Sequence, residues 1–172
     1  MTAAHHFLSG LPRSGSTVLS AILRQNPMVH AGMTSPVFSF VGALLPQLSN
    51  ANEFNVFVDN RARKRLLRGL FDAYYATTCE HVIIDTNRHW TARMALLVEL
   101  YPQARFLCCV RPLAQIAQSL ESQFARNPTE LSRLIGFDPG TNVYGRVDHL
   151  MGPAGLVGYP LNALKEAFYG PL

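Results

Sequence analysis

The sequence predicts an α/β fold, a three-layer α/β/α sandwich in which helices cover both faces of a central parallel sheet. Short apolar runs typical of buried strands lie at residues 6–9, 82–85 and 105–110. Segments with apolar residues at helical spacing separate these runs, and strands that alternate with helices favour parallel pairing. A chain of 172 residues is long enough for one such domain with its own core.

The first part of the chain is predicted to contain one strand and two helices. The strand, residues 6–9, enters a glycine-bearing turn, after which a helix begins at Ser16 and ends before Pro27. Residues 28–36 are predicted to form a loop, and the apolar residues after it predict a helix over residues 37–48.

An amphipathic helix is predicted over residues 59–77, after a polar connection at residues 49–55. Its apolar stripe consists of Leu66, Leu67, Leu70, Phe71 and Tyr74. Five basic side chains are largely displaced from that stripe: Arg61, Arg63, Lys64, Arg65 and Arg68. We interpret this basic face as solvated, with a surface for an acidic substrate or partner as the alternative.

The alternation of strands and helices continues in the second half. Residues 82–85 (VIID) predict a compact strand, and a helix is predicted over residues 91–100. The run RFLCCV at residues 105–110 predicts a central parallel strand covered on both faces, followed by a helix over residues 113–124.

Beyond residue 127 the sequence predicts loop with short helices, because glycine and proline recur there, and a final helix over residues 161–169. Only three strands are evident, which is few for a sheet of this architecture. We therefore expect one domain over residues 1–172 that is shortened at its C-terminus relative to a longer form.

The charge, the cysteines and the lengths of the apolar runs limit the classes of protein to which this chain can belong. The formal net charge is +4, with thirteen arginines among 15 basic residues and no long basic run, so nucleic acid is not an expected partner. Arginine matches phosphate and sulfate oxygens well. The spacing of the three cysteines predicts neither a disulfide framework nor a zinc site.

Because no signal peptide or membrane-spanning run is evident, we expect a cytoplasmic protein without a membrane span.

The stretch SGLPRSGST, residues 9–17, carries the strongest functional signal. Gly10 and Gly15 let backbone N–H groups between a strand and a helix approach one phosphate, as in a P-loop. ATP- and GTP-hydrolysing loops place a lysine after the second glycine, where this chain has Ser16. The only cation of the loop is Arg13, which argues against γ-phosphate chemistry and for a donor with a shorter anionic group.

The motif PRSGST after a short strand resembles the 5′-phosphosulfate loop of sulfotransferases that use 3′-phosphoadenosine 5′-phosphosulfate (PAPS). The second signature of that family is an arginine at a strand end with a serine eight residues later, and FLCCVRPLAQIAQSLES is similar to it at Arg111 and Ser119. Arg111 also follows a predicted strand at the carboxyl edge of the sheet, where ligands of open α/β folds bind. The resemblance spans about residues 7–122.

The resemblance implies roles for several residues. The 5′-phosphate would be held by the loop residues Arg13, Ser14, Gly15, Ser16 and Thr17, and the 3′-phosphate by Arg111 and Ser119. Arg13 would also sit near the bridging oxygen and stabilise the departing nucleotide. Sulfuryl transfer from PAPS to a hydroxyl or amine acceptor would proceed in line, without a metal, and leave adenosine 3′,5′-bisphosphate (PAP).

The general base is less well determined. The segment IIDTNRHW offers Asp85, Arg88 and His89, and His89 lies 22 residues before Arg111, close to the spacing of the histidine in cytosolic members of the family. Histidine has an ordinary pKa of about 6.5, which suits it to accept a hydroxyl proton. Asp85 is the alternative base, and Arg88 could replace a lysine that relatives place here.

The acceptor is not specified beyond a small-molecule, peptide or carbohydrate hydroxyl. Loops at residues 28–41 and 127–160 are expected to shape its pocket. Their apolar side chains are Met33, Val37, Phe38, Phe137, Tyr144, Met151 and Leu156. Two other functions compete with sulfuryl transfer: a P-loop nucleotide kinase or NTPase with a degenerate loop, and a non-catalytic PAP-binding module.

Overall fold

The computed structural model describes residues 3–49 and 53–126. The strands are β1 (Ala4–Gly10), β2 (Val29–Ala31), β3 (Val82–Thr86) and β4 (Phe106–Cys109). The helices are α1 (Ser16–Leu23), α2 (Val37–Gln47), α3 (Asn60–Tyr74), α4 (Met94–Leu100) and α5 (Leu113–Arg126), with 3₁₀ turns at Glu53–Phe57 and Trp90–Arg93. The predicted loop and helix beyond residue 127 lie outside the described residues.

The four strands form one parallel sheet in the order β2-β3-β1-β4. The chain therefore leaves β1 towards β2 and later crosses back over β1 to reach β4. This reversal is a topological switch point between β1 and β4, the position at which open α/β sheets bind ligands. Because all strands are parallel, the loops after them meet at one edge of the sheet.

Helices pack on both faces of the sheet, which confirms the predicted three-layer α/β fold. Phe7 and Leu8 are neighbours on β1 and point to opposite faces, since side chains alternate along a strand. Phe7 packs in the larger core with residues of α2, α3 and α4, whereas Leu8 packs against Leu19 and Leu23 of α1.

Two strand predictions are corrected. Residues 29–31, predicted as loop, form β2, which pairs with β3 and is too short to show an alternating pattern. The run at residues 105–110 was expected to be central, but β4 is an edge strand of the described sheet and Leu107 is 40% exposed. This unbroken apolar run therefore established neither the burial of the strand on both faces nor its place in the order of strands.

The basic face of α3 has contacts that neither sequence interpretation anticipated. Arg63 Nε donates to the carbonyl of Leu48, 2.6 Å away, at the end of α2. Arg68 Nε donates to the carbonyl of Leu100, 2.7 Å away, at the end of α4. Cations at helix C-termini satisfy unpaired carbonyl groups and complement the helix dipole. These arginines therefore attach α3 to its neighbouring helices.

The environment of His5 predicts that the stability of the fold depends on pH. Its ring stacks on Tyr101 at 4.8 Å between centroids and lies edge-on to Phe71 and Tyr75. Burial lowers the pKa of His5 below its ordinary value, although nearby Asp72 and Asp85 act in the opposite direction. The folded protein therefore resists protonation of this ring, whereas the unfolded chain takes up the proton at a pKa of about 6.5.

We expect the melting temperature to fall as the pH is lowered through about 6.5, because the unfolded state then binds more protons. His5→Phe should reduce this slope, and His81→Gln, which alters an exposed histidine, should leave it unchanged. The measurement is thermal unfolding from pH 8 to pH 5. The pKa values of His6 and His89 are also lowered, so part of the slope should persist in His5→Phe. Equal slopes in wild type and His5→Phe would contradict the assignment.

Candidate active site at the carboxyl edge of the sheet

We name residues 11–15 the phosphate-binding loop, after the site that the sequence predicts there. This loop connects β1 to α1 and contains two residues in the left-handed region. Arg13 has φ 63° and Gly15 has φ 102°, and Gly15 directly precedes the first residue of α1. Left-handed residues within such a turn direct successive N–H groups towards one point and create an anion-binding concavity. The N-terminus of α1 adds its unpaired N–H groups to the same side.

Gly10 permits the close approach of β1 to β4 beneath this loop. A Cβ atom at Gly10 would lie 2.7 Å from the carbonyl oxygen of Cys109 and 2.7 Å from Ser14 Oγ. Ser14 Oγ is buried and has no hydrogen-bond partner among the described residues. A hydroxyl that has lost water without gaining a partner is costly. An oxyanion seated in the loop would supply the missing acceptor.

We expect Gly10→Ala to lower the free energy of unfolding by about 1–3 kcal/mol, because the added methyl group collides with the backbone of β4. It should also weaken PAP binding, since Ser14 must move. Gly69→Ala is the matched control: its Cβ would meet nothing within 4 Å in the middle of α3. That change should stabilise the protein by about 0.5–1 kcal/mol. Urea unfolding and calorimetry measure both effects, and a Gly10→Ala protein as stable as wild type would refute the packing argument.

The phosphate-binding loop lies next to Arg111 and Ser119, the residues of the second family signature. Arg13 Nε donates to Ser119 Oγ on α5 at 3.0 Å, across 106 residues of sequence. Arg111 Nη1 donates to the carbonyl oxygen of Arg13 at 3.0 Å, and Arg111 Nε donates to Gln115 Oε1 at 3.1 Å. Both guanidinium groups are exposed, and within the described residues neither is paired with a carboxylate. They form a positively charged rim on the β4 side of the loop.

The segment that follows β3 is hydrogen-bonded to the end of β1, on the side of β1 away from β4. Ser9 Oγ, at the end of β1, donates to the carbonyl oxygen of Arg88 at 2.9 Å. The backbone N–H of Asn87 donates to the carbonyl oxygen of Leu8 at 3.0 Å. These contacts bring Arg88 and His89, both half-buried, next to the base of the phosphate-binding loop.

His89 has the electrostatic properties of a neutral imidazole at pH 7. Burial lowers the pKa of His89, and the positive charge of Arg88 lowers it further. Its ring lies 5.1 Å from the ring of Phe38, and its backbone N–H donates to Asn87 Oδ1 at 3.0 Å. The pKa of Arg88 is itself lowered by burial. A neutral ring nitrogen can accept a proton from an acceptor hydroxyl.

Asp85, the alternative base, is fully buried at 0% exposure. Burial raises the pKa of its carboxyl, while hydrogen bonds from Ser35, Trp90 and Tyr75 act in the opposite direction. Both carboxylate oxygens accept hydrogen bonds from these side chains. This geometry favours a structural role for Asp85 over that of a base, and it leaves no free oxygen for a magnesium ion.

Sequence reasoning missed three polar residues at this edge: Ser9, Ser35 and Asn87. None of the three belongs to a recognised motif, and the one available signal was its position at or just after a predicted strand or loop end. In the predicted acceptor loop, Met33 is 71% exposed, whereas Val37 is a core residue. Phe137, Tyr144, Met151 and Leu156 lie outside the described residues.

None of the helices described within residues 3–49 and 53–126 is long and apolar enough to cross a membrane.

Comparison with known proteins connects this geometry to a family. The sequence profile described as "Sulfotransferase family" matches residues 6–153. The nodulation protein NoeE of Sinorhizobium fredii is 32% identical over 130 aligned residues, which take in 67% of this chain and 30% of that protein. The chain thus spans less than a third of the length of this relative.

Proposed function

The chain belongs to the sulfotransferase family, and on this premise we propose that it transfers a sulfuryl group from PAPS to a hydroxyl or amine acceptor, in line and without a metal. The observation that carries the proposal is the convergence of Arg13, Arg111 and Ser119 on one side of a phosphate-binding loop that lacks the lysine of nucleotide hydrolases.

The loop residues fit a single 5′-phosphate group. The backbone N–H of Ser14 donates to the carbonyl oxygen of Leu11, so the donors for the phosphate oxygens would be the N–H groups of Arg13 and Gly15 and the unpartnered hydroxyl of Ser14. Ser16 and Thr17, in the first turn of α1, add two more hydroxyl groups. Ser16 cannot reach along a chain of phosphates as a lysine does, which disfavours a triphosphate donor.

Arg111 and Ser119 retain the donors that a 3′-phosphate requires. A guanidinium group has five N–H donors, and Arg111 uses two of them on Arg13 and Gln115. The hydroxyl of Ser119 accepts from Arg13, so its own proton remains available to a phosphate oxygen. The nucleotide would therefore extend from the loop towards β4 and α5.

The acceptor would approach from the opposite side, where the loops after β2 and β3 lie. His89 would take the proton of the acceptor hydroxyl as that oxygen forms its bond to sulfur. Arg13 would stabilise the negative charge that develops on the bridging oxygen as the sulfur–oxygen bond to the nucleotide breaks. A preorganised cation at the leaving oxygen is a major source of rate enhancement.

Calorimetry with PAP, ATP and GTP, each with and without magnesium, tests the donor. We expect metal-independent binding of PAP, and magnesium-dependent binding of ATP would instead indicate a nucleotide kinase or NTPase. Transfer of radioactive sulfate from PAPS to a library of hydroxylated acceptors tests the reaction. PAP binding without transfer to any acceptor would identify a non-catalytic binding module.

A further inference from the structure

Four side chains form a buried hydrogen-bonded group, which we name the Asp85 cluster: Asp85, Ser35, Tyr75 and Trp90. Ser35 Oγ lies 2.7 and 2.8 Å from the two carboxylate oxygens of Asp85. Tyr75 donates to Oδ2 at 2.9 Å, and Trp90 Nε1 donates to Oδ1 at 2.7 Å. The three donors belong to the loop before α2, the residue after α3 and the 3₁₀ turn after β3.

Stability alone gives no reason for a carboxylate at this position. All three donors are neutral, and burying a carboxyl group without a cationic partner costs free energy, through desolvation or a raised pKa, that an apolar side chain would not. The nearest titratable groups are Tyr75 and His5, and the lowered pKa of His5 keeps that ring neutral at pH 7. The carboxyl group of Asp85 instead links three separate segments, because it accepts hydrogen bonds from Ser35, Tyr75 and Trp90.

The connected segments include those on the acceptor side of the site. The backbone N–H of Ser35 donates to the carbonyl oxygen of Thr86, and the carbonyl oxygen of Ser35 accepts from Asn87 Nδ2, both at 2.9 Å. Ser35 is thus held by its backbone and its side chain to the end of β3. Three residues later, the ring of Phe38 lies 5.1 Å from His89 and 5.3 Å from Trp90.

We propose that Asp85 is a positioning residue that fixes residues 32–36 and Phe38 against the segment of His89 and Trp90, and so shapes the acceptor side of the site. This role rests on the proposed function in one respect, that His89 faces the acceptor. Asp85 itself contacts no reacting atom: it acts through Ser35 and Trp90.

The chain contains a single tryptophan, so its fluorescence reports on Trp90 alone, which is 1% exposed. Two variants each remove one hydrogen bond to the same carboxylate. Ser35→Ala removes the bond from the acceptor loop, and Tyr75→Phe, the matched control, removes the bond from the end of α3. We expect acrylamide quenching of Trp90 to rise about threefold in Ser35→Ala, because Phe38 withdraws, and to stay within about 1.5-fold of wild type in Tyr75→Phe.

A second test measures enzyme kinetics with the hydroxylated acceptor that the sulfate-transfer assay identifies. Ser35→Ala should raise KM for that acceptor about tenfold at unchanged KM for PAPS, and Tyr75→Phe should change neither. The positioning role would be overturned if acrylamide quenched Trp90 equally in the two variants. It would also be overturned if Ser35→Ala changed KM for the acceptor and KM for PAPS by the same factor. If wild type transfers no sulfate, the proposed function fails, yet the quenching comparison still decides whether Asp85 holds the acceptor loop.

Discussion

Arg111→Ala should weaken PAP binding about 100-fold while weakening adenosine 5′-phosphosulfate, which lacks the 3′-phosphate, only severalfold. A charged hydrogen bond contributes about 1.5–3 kcal/mol, and each 1.4 kcal/mol changes a dissociation constant about tenfold. The smaller effect on adenosine 5′-phosphosulfate has a separate cause: Arg111 also donates to the carbonyl oxygen of Arg13 and so supports the loop. Calorimetry with both nucleotides measures the difference.

Gln115→Ala is the matched control for this prediction. It removes the side chain that accepts from Arg111 Nε and leaves the guanidinium charge in place. We expect a loss of PAP affinity of threefold or less, since Arg111 keeps its contact with the loop. If Arg111→Ala weakened both nucleotides to the same extent, Arg111 would be a support for the loop and not a ligand of the 3′-phosphate.

The local features of the fold were largely predictable from the sequence. The first turn of α1 at Ser16 and the strand before the loop follow from apolar spacing and from two glycines, which are signals contained within a few residues. Arg111 and Ser119 were identified by their resemblance to the second signature of the sulfotransferase family, and the structure places both beside Arg13. Parallel pairing of alternating strands explains why such distant residues meet at one edge.

Features that depend on the order of strands and on burial were not predictable in the same way. The pairing of β2 with β3 gives three residues a strand conformation that their own pattern does not indicate. Asp85 was the alternative base because it stands in the segment IIDTNRHW together with Arg88 and His89. Its engagement by Ser35, Tyr75 and Trp90 depends on segments up to 50 residues away, which no local pattern reveals.

The described contacts also suggest how the two sides of the site are held in register. Under the proposed function, the donor side would rest on β1, β4 and α5, and the acceptor side on β2 and β3. Ser9 joins them, because it belongs to β1 and its hydroxyl donates to the carbonyl oxygen of the residue before His89. In-line transfer requires the acceptor and the leaving group on opposite sides of sulfur, and small displacements reduce the rate strongly. Under the proposed function, the hydrogen bond from Ser9 would help to keep the two sides in place for such a transfer.

His89→Ala should lower kcat about 10²- to 10⁴-fold with PAP affinity retained, because a positioned base contributes a factor of that size. Burial and Arg88 lower the pKa of His89, so the wild-type ring is neutral at pH 7 and kcat/KM should decline only below about pH 6.5. This decline of kcat/KM at low pH should be absent in His89→Ala. His81→Ala, at an exposed histidine before β3, serves as the control and should keep both the rate and the pH profile. An active His89→Ala enzyme with an unchanged decline at low pH would show that another group takes the proton.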